Sequence, residues 1–281
     1  MANLHVIAGG SGTWMRPAIH KIGLADIKDA LARGIDDFLT MPSHLVFLGL
    51  IYPVVGACLA ATNALFLLYP LASGFALIGP FAAIGLYELS RRRELGMDIS
   101  WRHAFEVLGS PAMPSILALG LLLMVIFLCW LATAQALYIW LFGPAAPDSY
   151  GQFVEDVLTT PHGWALIILG NGIGFIFAAL VLSISVVSFP LLIERDVGAA
   201  VAIHTSIRAV LANPVMMALW GLIVAALLVL GTIPLFIGLA VVMPVLGHAT
   251  WHLYRKVVEP AGSEKSHAFS SKIGISEPMV E

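Results

Sequence analysis

His248 and His252 are the side chains whose type and spacing come nearest to a ligand site. They stand four residues apart, which places both imidazoles on one face of a helix. Such a pair is compatible with a shared metal ion or with the edge of a haem, but the sequence offers no further Cys, Glu or His at a matching depth. We favour an interfacial pair beside Trp251 and Tyr254 in an aromatic belt, and we predict no metal ion and no cofactor.

Glu88 and Glu194 are the strongest candidates for functional acidic residues, because both fall near the inner ends of proline-bearing apolar stretches. One hypothesis is a proton or cation relay near the inner membrane face. The other is an interfacial acid that pairs with a neighbouring arginine, Arg91 or Arg92 for Glu88 and Arg195 for Glu194. We favour the pairing, since an acid at headgroup level is readily hydrated.

Gln135 and Asn171 are uncharged polar residues inside long apolar runs. Asn171 lies in G-N-G-I-G, where Gly170 and Gly174 at small-xxx-small spacing favour the close approach of a second helix. An amide there can serve either in a site or in a hydrogen bond across the helix contact. We favour packing for both residues and keep both as candidate functional groups.

Composition places the chain among integral membrane proteins. Hydrophobic residues make up 59% and charged residues 11% of the sequence, and the mean hydropathy is +0.94, whereas soluble domains carry roughly 25% charged residues. There is no basic, aromatic-interleaved patch for nucleic acid, and no phosphate loop, G-x-S-x-G, H-E-x-x-H or C-x-x-C motif. We therefore predict a protein that is not an enzyme, with the lipid bilayer as its first partner.

The elements that position these residues are apolar runs long enough to span a bilayer, which takes about 20 residues each. We predict an all-α membrane protein with six transmembrane helices in hairpins, within a domain at residues 24–258. Residues 1–23 are predicted to be a flexible N-terminal segment and residues 259–281 a disordered cytoplasmic tail. The six predicted spans are, approximately, 45–62, 66–88, 115–142, 164–189, 214–232 and 234–254.

Orientation follows from the basic residues, because cytoplasmic flanks retain Lys and Arg. With both termini inside, all 14 Lys and Arg fall on the inner side. The long outer loop has only Asp148, Glu155 and Asp156 as formal charges. The sequence therefore predicts a multi-pass protein with both termini in the cytoplasm.

Three inner segments show helical amphipathicity and are predicted to lie in the headgroup layer with an apolar face down. The first has Leu24, Ile27, Leu31, Ile35 and Phe38 on its apolar face and Asp26, Asp29, Arg33 and Asp37 on the other. The second has Trp101, Phe105 and Leu108 opposite Arg102, His103 and Glu106. The third has Ile203, Ile207 and Val210 opposite His204, Thr205 and Arg208.

Prolines mark the entries and exits of the spans, and those assigned a structural role are Pro42, Pro80, Pro111, Pro161, Pro190, Pro214 and Pro244. The recurrence of these features indicates either a weak internal repeat or the general preference of re-entering chains for proline.

Four stretches carry a resemblance to a known family. They are D-A-L-A-R-G-I-D-D-F at Asp29, I-G-P-F-A-A-I-G-L-Y-E-L-S-R-R-R-E-L-G at Ile78, T-T-P-H-G-W-A-L at Thr159 and S-F-P-L-L-I-E-R at Ser188. In these the chain resembles a family of predicted bacterial integral membrane proteins of unknown function (DUF2189 type), over nearly its whole length except the ends. The resemblance implies a six-helix protein of the bacterial inner membrane. Some members are labelled cytochrome c oxidase, but the catalytic subunit of such an oxidase needs histidines from several spans, and here only His248 and, marginally, His252 qualify.

Three functional hypotheses follow. The leading one is a non-enzymatic accessory, assembly or scaffolding partner of a membrane complex, with a membrane-protein partner or a homo-oligomer as its contact. The alternative is a small-solute transporter or channel, motivated by proline-interrupted spans around Asn171, Gln135 and Glu88. The third is a haem-binding redox accessory subunit that uses His248 and His252.

Overall fold

The computed structural model describes residues 17–41, 83–100, 103, 106–107, 109–145, 149–233 and 238–259. Within these residues the chain forms helices, with one isolated antiparallel bridge between Ile19 and Val258 and no strand. The helices are α1 (Leu24–Thr40), α2 (Ile84–Glu94), α3 (Met113–Phe142), α4 (Tyr150–Thr159), α5 (Pro161–Ser185), α6 (Ser188–Glu194), α7 (Ala199–Ala212), α8 (Pro214–Thr232) and α9 (Leu239–Val257). The all-helical prediction is confirmed for this part of the chain.

Three segments of the described chain are long and apolar enough to cross a membrane: Met113–Phe142, Pro161–Glu194 and Pro214–Thr232. They coincide with the predicted spans 115–142, 164–189 and 214–232. The first predicted span and most of the second lie outside the described residues, so the count of six stays a prediction. The predicted span 234–254 corresponds to α9, which is not among the three because His248, His252, Arg255 and Lys256 make its second half polar.

Proline and capping residues set several of these boundaries. Pro161 and Pro214 each occupy the first turn of their helix, where a missing N–H costs no hydrogen bond. At the start of α5, the Thr160 hydroxyl also accepts a hydrogen bond from Gly163 N at 3.0 Å.

The remaining predicted prolines behave differently. Pro111 precedes α3, whose first turn holds Pro114 instead. Pro190 is buried in α6, and Pro244 lies inside α9. Pro42 and Pro80 lie outside the described residues.

Helix α1 packs closely against α9. A Cβ built on Gly34 would lie 2.6 Å from both the Cβ and the backbone N of Ala249, so only glycine fits there. α1 buries Ile27, Ala30, Gly34 and Asp37 on this side. The predicted division of α1 into an apolar buried face and a charged solvated face is therefore wrong for Asp37, which is only 2% exposed.

The other two predicted surface helices have different outcomes. The residues that define the second, Trp101, Phe105 and Leu108, lie outside the described residues. α7 corresponds to the third, and the residues that it buries are the small ones: Ala202, Thr205, Ser206 and Ala209. These small side chains are buried because they allow the backbones to approach closely. Ser206 Oγ accepts a hydrogen bond from Val187 N at 3.2 Å. Ile207, on the predicted apolar face, is 37% exposed, and the placement of this face in the headgroup layer stays a prediction.

Hydrogen bonds connect the described residues before α1 to the rest of the chain. His20 N donates to Val257 O at 2.8 Å, and Glu259 N donates to Ala18 O at 3.2 Å. The Asn213 side chain accepts from Ile22 N at 2.9 Å and donates to His20 O at 3.0 Å. The described end of the predicted flexible segment 1–23 is thus held by α9 and by the residue that precedes α8.

Gly34→Ala tests the close α1–α9 contact. We expect the added methyl group to lower the stability of the detergent-solubilised full chain by about 1–3 kcal/mol, the usual cost of overpacking. Gly172→Ala is the matched control, because none of the described residues lies within 4 Å of a Cβ at Gly172 and both changes gain the same helix propensity. Thermal unfolding followed by size-exclusion fluorescence would contradict the packing if Gly34→Ala were as stable as the control.

Candidate functional site

The described residues bring together a buried polar cluster centred on the Asp37 carboxylate, at the junction of α1, α2 and α9. Ser90 Oγ donates to Asp37 Oδ2 at 2.5 Å, and His252 Nε2 lies 2.9 Å from the same oxygen. Arg93 hydrogen-bonds to Asp37 Oδ1 and, at 2.7 Å, to Asp36 Oδ2. With His248, these residues form the Asp37 cluster: Asp37, Ser90, Arg93, His248 and His252.

His248 joins the cluster through the serine. Its Nδ1 lies 2.6 Å from Ser90 Oγ, and a serine hydroxyl has a single proton to donate. Because that proton goes to the ionised Asp37 carboxylate, we assign Nδ1–H of His248 as the donor to Ser90 Oγ. The Nε2 atom of His248 then carries the lone pair, and it is buried without a hydrogen-bond partner among the described residues.

Aspartate, histidine and serine are the residue types of a hydrolytic triad, but their order here is different. In a triad the histidine stands between serine and aspartate and accepts the serine proton. In this cluster Ser90 stands in the middle and gives its proton to Asp37, so no histidine base activates the hydroxyl. The arrangement favours a structural link between three helices over a nucleophile.

The electrostatics of the cluster depend on competing effects at Asp37. Burial is the largest influence and by itself raises the pKa of this carboxyl group. Hydrogen bonds from His252, Ser90 and Arg93, with the charge of His252, outweigh burial and lower the pKa from 3.8 to about 2. For Arg93, burial opposes the charged form, but the hydrogen bonds to Asp37 and Asp36 prevail and raise the pKa. Asp37 is therefore ionised at neutral pH, which a buried acid tolerates only when it is paired.

A second group of charges, the Glu194 cluster, joins α2, α6 and α9. It consists of Glu94, Glu194, Trp251, Tyr254 and Arg255. Arg255 bridges the two acids, with Nε 2.9 Å from Glu94 Oε1 and Nη1 2.7 Å from Glu194 Oε1. The Tyr254 hydroxyl donates to Glu194, and Trp251 Nε1 donates to Glu94 at 3.0 Å.

The predicted pairing of Glu88 is present in the structure. Glu88 is 5% exposed, and it accepts hydrogen bonds from Arg91 Nε at 2.8 Å and from Arg92 Nε at 3.0 Å. Glu194 lies 3.4 Å from the predicted partner Arg195, but its shorter contacts go to α9. Both acids are thus held by basic groups.

The structure corrects the predicted surroundings of the two histidines. His248 is fully buried and His252 largely so, while Trp251 and Tyr254 are each 1% exposed. These aromatic rings therefore lie in the protein interior and form no belt toward lipid. Their N–H and O–H groups find carboxylate partners on α2 and α6, which is how buried Trp and Tyr are usually satisfied. His252 Nε2 lies 2.9 Å from Asp37 Oδ2 and His248 Nδ1 lies 3.7 Å from the same oxygen, so both imidazoles are directed at this carboxylate.

Gln135 and Asn171 lie on helices that contribute nothing to either cluster. Gln135 is half-buried on α3, and Asn171 on α5 donates from Nδ2 to Ile167 O at 2.8 Å. Asn171 lines an apolar cavity between α3, α4 and α5. Among the described residues, no group of three or more His, Cys, Asp or Glu could hold a metal ion.

Sequence reasoning missed Asp37, Ser90 and Arg93 as members of the site. One signal was available: Asp37 continues the stripe of Ala30 and Gly34 at helical spacing, and small residues at that spacing mark a closely packed helix face. A charge on such a face indicates a buried partner on the opposing helix. Nothing local identifies that partner, because Ser90 is 53 residues away in the chain and His252 is 215 residues away.

Comparison with known proteins supports the membrane assignment. Residues 68–194 match the model of a family described as predicted integral membrane protein (DUF2189). This match confirms the resemblance within residues 68–194. Its extent over nearly the whole chain, including the stretch at Asp29, stays a prediction. No curated protein and no solved structure gives a significant match to the chain.

Asp37→Asn tests the role of the buried carboxylate. Removing the charge leaves Arg93 without its buried partner, and we expect a loss of about 3 kcal/mol, the scale for breaking a buried ion pair. Asp36→Asn is the matched control, because the Asp36 side chain is 68% exposed and an exposed pair contributes below about 1 kcal/mol. Thermal unfolding of the full chain in detergent should separate the two variants; equal losses would contradict the assignment.

The low pKa of Asp37 also predicts a pH dependence. Because the folded pKa lies below the unfolded one, the stabilisation is complete above about pH 4 and is lost as the pH falls toward about 2. The difference in stability between the unmodified chain and Asp37→Asn should therefore shrink across this interval. Unfolding measured at matched ionic strength checks this, and a gap that stayed constant down to pH 2 would be the contrary result.

Proposed function

We propose that this integral membrane protein catalyses no reaction and acts as an accessory, assembly or scaffolding partner of a membrane complex. One observation carries the proposal: α8 presents an apolar seam along its whole length that the described part of the chain leaves exposed. The seam runs through Val215, Ala218, Leu222, Ala225 and Val229.

The spacing of the seam supports a partner helix. Its members are separated alternately by three and four residues, which is the repeat of two helices that pack in a left-handed crossing. Ala218 and Ala225 alternate with larger residues such as Leu222, and small residues at a membrane helix contact let the backbones approach. Lipid alone sets no such requirement, because acyl chains adapt to any apolar surface.

The polar clusters also support this proposal. The buried Asp37 contacts a serine and an arginine of α2 and a histidine of α9, and these contacts fasten α1, α2 and α9 together. The buried Glu88 is paired with arginines of its own helix. A transport site needs charged groups that can exchange a proton or an ion. Glu88 and Glu194 are each paired with arginines. This pairing weighs against the transporter hypothesis and favours a rigid support for a partner.

Ala218→Phe tests the seam. We expect purification of the tagged full chain from its native host in mild detergent, followed by quantitative mass spectrometry, to recover a reproducible membrane-protein partner or a second copy of the chain. The bulky ring should reduce this recovery by on the order of tenfold, since it blocks close helix approach.

Ala178→Phe is the matched control, because Ala178 is exposed on α5 and lies outside the seam. It should leave recovery unchanged. A chain that reproducibly purifies alone, or equal losses in the two variants, would count against the proposal. Solute uptake by proteoliposomes that Glu88→Gln abolishes would instead support the transporter.

A further inference from the structure

A cavity of about 310 Å³ lies between α3, α4 and α5. Trp130 and Leu137 form the wall on α3, Phe153 and Val157 the wall on α4, and Leu166 and Asn171 the wall on α5. Gly170 helps to keep the space open, since a Cβ there would first meet Leu137 Cδ2 at 3.8 Å. This volume is near the lower end of the range for small-molecule sites, about 300–1,000 Å³.

The polar groups around the cavity are engaged with backbone carbonyl groups. Thr133 Oγ1 donates to Cys129 O at 2.7 Å, Asn171 Nδ2 donates to Ile167 O at 2.8 Å, and Tyr138 OH donates to Ala145 O at 3.2 Å. The walls therefore offer mainly apolar contact. A ligand part that enters this space must itself be apolar, because a buried polar group without a partner is costly.

The cavity lies where hydrocarbon chains are available. α3 and α5 are both long and apolar enough to span a membrane. On the outside of α5, Ile168 and Phe175 are 66% and 74% exposed, as expected of side chains that face lipid. An acyl chain of a neighbouring lipid can thus reach the cavity without passing through water.

The charge beside the cavity selects among lipid headgroups. The Asp156 carboxylate, next to Val157 on α4, lies close enough to Tyr138 to interact with it electrostatically, and both Val157 and Tyr138 line the cavity. The sequence between Gly143 and Gly163 contains no Lys or Arg. This edge therefore attracts an ammonium group and repels an anionic headgroup.

We propose that the cavity is a binding site for one acyl chain of a phospholipid whose headgroup carries a primary amine, with that amine held beside Asp156. The proposal does not depend on the partner seam of α8, which uses other residues. It assigns a ligand class to Asn171 and its surroundings, where the sequence indicated only a polar group in a span.

Photolabelling tests the chain-binding part. The full chain is reconstituted in vesicles of phosphatidylethanolamine and phosphatidylglycerol that contain a trace of phosphatidylethanolamine with a diazirine in its acyl chain. Mass spectrometry should place labels on the cavity-lining residues Leu137, Phe153 and Leu166. Gly170→Leu fills the space and should reduce these labels by on the order of tenfold, whereas Gly172→Leu, which points to open space, should not.

A second pair keeps the test independent of any folding defect in the glycine variant. Ala134→Leu fills the cavity from the α3 wall, and Ala132→Leu places the same side chain at an exposed position nearby. Labels that persist in both cavity-filling variants, or that fall equally in the controls, would show surface lipid only and overturn the proposal.

Competition tests the headgroup part. Excess unlabelled phosphatidylethanolamine should displace the label several-fold better than phosphatidylglycerol does. Asp156→Asn should remove that preference while leaving the cavity labelled, whereas Glu155→Gln, which changes an exposed acid on the opposite face of α4, should keep it. Equal competition by the two lipids in the unmodified chain would overturn the assignment of an amine-bearing headgroup.

Discussion

An ionised carboxylate in the protein interior is the constraint on which the polar end of this molecule depends. Asp37 is 2% exposed, and an isolated buried charge is costly enough that it persists only when partners surround it. Those partners come from α2 and α9, which are remote from α1 in the chain. Their positions are therefore fixed relative to one another by a single carboxyl group, and the close approach of Gly34 to Ala249 follows from the same arrangement.

The helix α9 is the common element of both polar clusters. One side carries His248 and His252 toward Asp37, and Tyr254 and Arg255 reach Glu194 on α6. This double role explains why α9 is less apolar than α3, α5 and α8. Its polar residues contact carboxylates of neighbouring helices, and its glycine Gly247 admits α2, where an added Cβ would lie 2.4 Å from Leu86 Cδ1.

The apolar part of the molecule has a different organisation. A cavity lies between α3, α4 and α5, and the described residues leave most of the surface of α8 exposed. The charged groups are thus concentrated where the helices are fastened, while the surfaces open to lipid or to another helix are apolar. This division is consistent with the proposed role as a partner of other membrane components, since the ion pairs of the chain stabilise its internal structure.

The sequence by itself determined the helical class and the membrane environment, and it predicted the approximate positions of three candidate spans, because these depend on the length of apolar runs and on prolines such as Pro161 and Pro214 that act locally. It also predicted the pairing of Glu88 with Arg91 and Arg92, whose separation of three and four residues is set by helix geometry. Only the tertiary structure decided that Asp37 is buried, that His248 and His252 serve it, and that Trp251 and Tyr254 face the interior. Those contacts join residues separated by 53 to 215 positions, and amphipathic periodicity tells which face of a helix is polar without telling whether water or another helix satisfies it.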